Sequence, residues 1–406
     1  MYAEIPTYDN GHWDVTTFYS REAFRDFVAS LFKEPGLYNF DESSQIFNAE
    51  ARKFQKNNYY CAAPVKTKDY IDYWDDQKVK CKSGIIVKNN GNAWYISRDY
   101  YMWLNFLPIY DKEEKRFDFA KVRDAQYHMA LYEILAELNY KHCAILKKRQ
   151  IASSYFHAAK LINQFWFESG AVLKMGASLK DYISEKGTWR MLAEYRTFLN
   201  EHTAWYRPSD PDKVFSWQQR IKVRIGGRDT FKGNKSIITG TSFEKDPTNG
   251  VGGPCTFFFH EEAGIAPKMD QTYEYMRPAM QSGMITTGVF IAAGSVGDLD
   301  ACEPLKEMVL RPEANDIYPV QSNLLDPEGT IGKTSLFIPE QWSMPPFIDK
   351  YGNSKVQEAL EAIAKERIKW KEDLSPEQYQ LRISQKPTNI AEAFATRKES
   401  VFPPHL

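Results

Sequence analysis

The sequence predicts an α/β fold with a mostly parallel sheet, flanked by an amino-terminal α+β region and a helical carboxyl-terminal region. Three observations carry this. From Phe117 to Cys302 short apolar runs alternate with segments of helical period, as in a sheet covered by helices on both faces. One apolar run, Cys143 to Leu146, passes through a basic turn into a helix. A later one, Thr256 to Phe259, ends in two adjacent carboxylates, Glu261 and Glu262.

Taken in order, Ser20 caps a helix carrying Phe24, Phe27, Val28, Leu31 and Phe32 on one face. Asn90-Gly91 lies between two β-rich runs and predicts a hairpin. The charged run from Asp111 to Arg116 breaks the apolar pattern and marks a surface connection, which divides the chain into residues 1–112, 113–303 and 304–406. In the central part helices are expected over Tyr127 to Tyr140 and Ser154 to Phe167. Strands are expected at Cys143 to Leu146, Val172 to Met175, Ile221 to Ile225, Ser236 to Thr241, Thr256 to Phe259 and Gly288 to Ala292. The last hundred residues read as helical, with capping boxes at Ser354/Gln357 and Ser375/Gln378. The end, FPPHL, reads as a linker.

Chemistry gathers at the carboxyl ends of strands in such sheets. The turn Lys147-Lys148-Arg149-Gln150-Ile151-Ala152-Ser153-Ser154 stands where P-loop NTPases hold phosphate, because the following helix offers free N–H groups and the positive end of its dipole. Ala152 and Ser153 occupy the places of the usual Gly and Lys. Ser154 remains where a hydroxyl reaches Mg2+, and Lys147 or Lys148 could fold back to supply the ammonium. By itself the segment reads more readily as a basic turn capped by Ser153 ahead of an ordinary helix. Glu261 and Glu262 suit a pair in which one acid holds Mg2+ and the next orients or deprotonates water, though paired acids also occur in solvated turns. Order decides: a strand–basic loop–helix, a strand ending in Glu-Glu about a hundred residues on, and a strand ending in Ala293-Gly294-Ser295 form the layout of an ATPase core whose third loop senses phosphate. His260 is expected as a hydrogen-bonded neighbour of the acids, and the Cys255/His260 and His142/Cys143 spacings make no zinc site.

These motifs resemble the ATPase portion of the large terminase of tailed bacteriophages, over about two-thirds of the chain, from Phe117 to Phe394. RQIASS looks like that family's altered Walker A loop, with Lys147 as a lysine moved to the loop's start. FFFHEEAG is similar to its Walker B segment, with Glu261 in place of Asp and Glu262 as the catalytic carboxylate. IAAGS is similar to the coupling motif, implicating Gly294 and Ser295. FAKVRDAQYHMAL resembles the adenine-recognition segment, with Gln126 as the matching glutamine, and PTNIAEAF resembles the closing Glu-Ala-Phe. The resemblance implies a RecA/ASCE-like P-loop core and a carboxyl-terminal lid. It further implies ATP held by Gln126, Lys147, Lys148, Arg149, Gln150, Ala152, Ser153, Ser154 and Gly294, Mg2+ held by Ser154 and Glu261, and catalysis by Glu262, Lys147 and Ser295. Implied partners are double-stranded DNA, a procapsid portal, the small terminase subunit and further copies in a ring, in the cytoplasm of an infected host cell. No arginine just before the Walker B strand matches the family's trans-acting finger, and nothing past Phe394 is long enough for its RNase-H-like nuclease.

Composition narrows the remaining classes. The 406 residues carry 52 Lys+Arg against 53 Asp+Glu, a net charge of −1, so nucleic-acid contact must come from a local patch. One exists: from Arg207 to Lys245 nine cations face four acids, with Trp205, Tyr206 and Trp217 beside or within the tract. Such a tract suits a phosphate backbone, or else is a solvated ribbon in which Arg220, Lys222 and Arg224 alternate. Five cysteines, an odd number without paired spacing, argue for a reducing compartment, the start reads as no signal peptide, and no run is apolar enough for a membrane span. A helicase-like remodeller of the same core, or a nucleotide-binding packaging subunit without turnover, remain the alternatives.

Overall fold

A computed structural model describes the chain except residues 113, 185, 208, 209, 214, 250, 251, 298, 322–331 and 395–406; the proline-rich end therefore lies outside the described residues. The amino-terminal region builds β1 (Ala3–Asp9), β2 (His12–Phe18), α1 (Arg21–Leu31), α2 (Ala49–Asn57), α3 (Lys68–Ser83), β3 (Ile85–Asn89), β4 (Asn92–Ile96) and α4 (Arg98–Phe106). Ser20 caps α1 as expected, accepting from the Ala23 N–H. Asn90 and Gly91, at φ +46° and +83°, make the left-handed turn that joins β3 to β4. The sheet order is β2-β1-β3-β4, with β1 and β3 parallel. The charged run begins and ends on the strands of a second hairpin, β5 (Pro108–Asp111) and β6 (Arg116–Phe119), in which Asp111 pairs with Arg116.

The central part adds α5 (Asp124–Leu138), β7 (Cys143–Lys147), α6 (Ser153–Phe167), β8 (Val172–Ala177), α7 (Lys180–Ile183), α8 (Thr188–His202), β9 (Asp210–Lys213), β10 (Ser216–Gln218), β11 (Ile221–Ile225), β12 (Arg228–Lys232), β13 (Ile237–Ser242) and β14 (Phe257–Glu261). It continues with α9 (Met269–Met276), the short pair β15 (Gln281–Ser282) and β16 (Ile285–Thr286), β17 (Val289–Gly294), α10 (Leu299–Leu310), β18 (Leu336–Ile338), α11 (Val356–Asp373), α12 (Pro376–Gln385) and α13 (Ile390–Phe394). The main sheet runs β18-β7-β17-β14-β8-β13-β10-β9. The neighbours from β18 to β13 are parallel, and β10 and β9 are antiparallel. Every residue of β7 and of β14 is buried, which is why both read as unbroken apolar runs rather than alternating ones.

Alternate residues of β7 face different cores. Cys143 and Ile145 join a cluster with Trp94, Trp103, Tyr127 and Phe156, so the apolar core continues across residue 112. Ala144 and Leu146 join a second cluster with Met276, Leu305 and Phe394, placing α9, α10 and α13 on the other face. All five cysteines are free.

Three expectations are corrected. Ile221 to Ile225 is no strand of the main sheet: among the described residues it pairs with β12 alone, as a two-stranded ribbon. Leu336–Ile338, expected within a helical region, is the parallel edge strand beside β7; three residues ended by Pro339 are too short to show a period. Ser354 caps nothing. The cap position of α11 is Lys355 without a side-chain bond, and Ser354 Oγ donates instead to Asp124 Oδ1 at 2.6 Å, because a buried carboxylate outcompetes a local cap. Ser375 does form its capping box, with Pro376 at the first helical position.

Candidate functional site

β7, β17 and β14 are parallel neighbours, so the turns that leave them open on one side of the sheet. The first turn, 148–152, needs left-handed backbone at Gln150 (φ +63°) and Ala152 (φ +57°). That conformation costs a residue with a Cβ about 1–2 kcal/mol and turns backbone N–H groups toward a concavity suited to an anion. Among the described residues no side chain caps α6, so its first N–H groups are available to an anion. Gln126 steadies the turn, its Nε2 donating to the Ile151 carbonyl at 3.1 Å, while its Oε1 is buried with no partner among the described residues.

The loop's candidate side chains separate. Lys147 is buried with its ammonium 3.7 Å from Glu262 Oε1. Lys148 points the other way and donates to the carbonyls of Glu340 and Ser343, both at 3.1 Å; burial lowers its pKa to about 8. Arg149 and Gln150 are exposed. Ser153 turns inward, its Oγ 3.1 Å from His157 Nδ1. Ser154 donates to Glu261 Oε1 at 2.9 Å, which ties the start of α6 to the end of β14.

Glu261 is 2% exposed. Thr188, the first residue of α8, donates to its other oxygen at 2.9 Å. Burial raises the pKa of Glu261 and the neighbouring Glu262 raises it further, while Lys147 and the two hydroxyls pull it down. A buried carboxylate with a raised pKa gains from a cation, and the hard oxygens of Ser154 and Glu261 fit magnesium, which keeps most of its ligands as water and phosphate oxygens. Among the described residues no group of three or more His, Cys, Asp or Glu could hold a metal ion. Glu262 itself sits at φ +46°, a strained backbone for glutamate that the surrounding fold must enforce, and its carboxylate is partly exposed.

The turn after β14 presses on the turn after β17. A Cβ on Gly264 would lie 1.9 Å from the Ser295 carbonyl oxygen, and one on Gly294 would lie 2.3 Å from the Gly264 nitrogen. Glycine at both places lets the two backbones touch. From the carboxyl-terminal region, Gln385 of α12 donates to the Val296 carbonyl at 2.9 Å, so the segment holding Ser295 is in contact with both the acidic turn and the carboxyl-terminal helices. In those helices Glu392 takes Arg367 in a two-point pair at 2.8 Å each and also accepts from the Thr388 N–H.

Beneath the loop runs a buried charge network that sequence reasoning missed. His157 Nδ1 is 2.8 Å from the Ser153 carbonyl and its Nε2 is 2.9 Å from Glu133 Oε1. Lys160 pairs with Glu133 at 2.9 Å and Glu137 at 2.7 Å. Burial works against its charge, yet Glu137, Glu133 and Asp99 hold its pKa above the ordinary value. His157 and Lys160 lie one and two turns into α6 from Ser153, and that spacing was the one available signal. Thr188 carried none. His260 is buried and stacked on Phe243; burial lowers its pKa to about 4, and a hydrogen bond with the Glu261 backbone opposes that shift.

No family model and no curated protein matches this chain. Solved structures do. The large terminase ATPase domain of Thermus phage P74-26 is similar at 8% identity and TM-score 0.38, over 60% of this chain and 88% of that one. The large terminase of bacteriophage HK97 is similar at 13% identity and TM-score 0.37, over 65% of this chain and 51% of that one. The large terminase of another thermophilic bacteriophage is similar at 9% identity and TM-score 0.30, over 52% of each chain. Likeness at these values assigns no chemistry, which has to come from the chain's own residues.

Proposed function

We propose that this chain is an ATPase that drives double-stranded DNA, the motor portion of a phage large terminase. The observation that carries the reading is the Ser154–Glu261 hydrogen bond, 2.9 Å long. It brings the hydroxyl at the start of the loop's helix to the buried acid at the end of a strand two places along the sheet, with Lys147 and Glu262 paired beside it. In this reading the α6 N–H groups and Lys147 hold the β- and γ-phosphates, and Gln126 Oε1, buried without a partner among the described residues, accepts from an amino group of the base. Ser154 and Glu261 would hold Mg2+, which offsets charge on the phosphate oxygens. Glu262 takes a proton from water as its oxygen attacks the γ-phosphorus and ADP leaves with the bonding electrons. Ser295 lies on the path from the phosphates to α12, so loss of phosphate reaches the lid there.

Packaging, and with it a portal, a small terminase subunit and a ring of copies, is proposed from the order of the motifs, and DNA from that order together with the basic tract. Among the described residues no helix is long and apolar enough to cross a membrane. A second reading, a subunit that binds nucleotide without turnover, draws on Ser153, whose side chain stands in the loop lysine's place and is turned toward His157. Phosphate release from the purified protein, with and without duplex DNA, separates the two. Glu262→Gln keeps the shape and should bind nucleotide while losing at least about 10²-fold in turnover; equal turnover in variant and parent would overturn the assignment of Glu262.

A further inference from the structure

The β11–β12 ribbon has no counterpart in the site just described, and its form points to a partner. Among the described residues its strands pair with each other and with no other strand, and Gly226-Gly227, at φ +58° and +78°, close it in a two-residue turn. A lone hairpin is marginally stable in water, yet this one leaves Ile225 54% and Phe231 48% exposed. From Arg220 to Lys232 it carries five cations and one acid, in a chain whose net charge is −1. Register spreads the cations over both faces. Lys222 opposes Phe231 and Arg224 opposes Asp229 on one, and Val223 opposes Thr230 and Ile225 opposes Arg228 on the other. Lys222 is held by Asp229 at 2.8 Å and Arg224 Nε by the Gly227 carbonyl at 3.3 Å; the ion pair is exposed on both sides and is worth little against competing phosphates.

We propose that this ribbon grips duplex DNA, lying in or along the major groove with its cations on the flanking phosphates; the inference rests on the DNA-motor reading above. The major groove admits a two-stranded ribbon, and five residues at about 3.4 Å each span roughly 17 Å, a length over which a duplex presents about ten phosphate charges. With its cations on phosphates rather than on base edges, the grip is on backbone and independent of sequence, as a translocating motor needs. Its root is firm. Asn234 Nδ2 donates to the carbonyls of Phe165 and Glu168, and the Gly170 N–H donates to the Asn234 carbonyl. The ribbon joins the end of β10 to the start of β13, so it leaves the sheet on the side away from the phosphate turn.

The test is fluorescence anisotropy of the full chain on two duplexes of unrelated sequence over a range of salt, beside its phosphate release without DNA. Lys222→Gln, Arg224→Gln, Arg228→Gln and Lys232→Gln together should weaken both duplexes about equally and flatten the plot of log affinity against log salt by roughly 0.9 for each lost contact, about 3–4 in all. DNA-free turnover should stay at the parent's value. The charge-keeping set Lys222→Arg, Arg224→Lys, Arg228→Lys and Lys232→Arg should restore the slope. If the parent binds duplex and the neutral variant binds it with the same affinity and slope, the ribbon proposal fails and the motor reading stands. If the variant keeps the slope but sediments as a smaller species, the ribbon is a contact between copies and the proposal likewise fails. A parent that neither binds duplex nor releases phosphate would overturn the motor reading and the ribbon's role with it.

Discussion

Lys147 and Lys148 are adjacent in sequence and opposite in fate. Side chains alternate along a strand, and β7 ends at Lys147, so one ammonium comes to the acids and the other to the carbonyls of Glu340 and Ser343. In the proposed ATPase reading the triphosphate's charge needs a full cation beside the half-charge of a helix start. Ser153 has replaced the usual one and Arg149 is exposed. Lys147→Ala should therefore abolish phosphate release with little loss of fold. Lys148→Ala should keep turnover but lose about 2 kcal/mol in urea unfolding, because it strands two carbonyls that had a charged donor. Reversed outcomes in those two assays would show that the phosphate lysine is Lys148.

At the scale of elements, the turns after β14 and β17 act as one unit because neither Gly264 nor Gly294 has a Cβ. The atom that a Gly264→Ala methyl would meet, the Ser295 carbonyl oxygen at 1.9 Å, belongs to backbone and cannot swing aside. The turns must part, and a loss of about 3 kcal/mol in denaturant unfolding is expected, with turnover falling further than stability explains as Ser295 moves from the acids. A variant within about 0.5 kcal/mol of the parent, the scatter of neutral surface changes, would mean that the turns move independently.

Across the molecule, buried polar groups tie distant segments together. Asp124 accepts from the Gly36 N–H, the Ser354 N–H and the Ser343 hydroxyl, joining the amino-terminal region, α5 and the carboxyl-terminal segment. His142 does the same beside β7: its backbone bonds Asp316 and Tyr318, and its Nδ1 accepts from the Phe290 N–H at 3.1 Å. Accepting there requires a neutral ring, and burial lowers its pKa to about 4 from 6.5. The unfolded chain therefore binds a proton that the folded one refuses. The stability held above pH 6.5 is lost progressively as pH falls toward 4. His142→Asn keeps an acceptor without the titration, so between pH 7.5 and 5.5 the parent should lose about 1.4 kcal/mol more than the variant in chemical denaturation. Parallel pH profiles would mean that His142 takes up its proton as readily in the fold as in the unfolded chain.

The sequence by itself determined what is local. The apolar runs of β7 and β14 gave their strands, the basic turn between β7 and α6 gave a phosphate-loop candidate, Glu261-Glu262 gave the acids, and Asn90-Gly91 and Ser375 gave a turn and a cap. Each depends on residues within a few positions of one another. Tertiary structure decided the pairings: Ser154 and Thr188 on Glu261, Lys148 on Glu340 and Ser343, Ser153 on His157 and through it Glu133, Ser354 on Asp124 rather than on its own helix, three residues of β18 completing the sheet edge, and β11 leaving the sheet for a ribbon. A buried donor or acceptor must find a partner or forfeit its desolvation energy. Which partner it finds depends on the packing that brings distant segments together, and no local period in the chain records that.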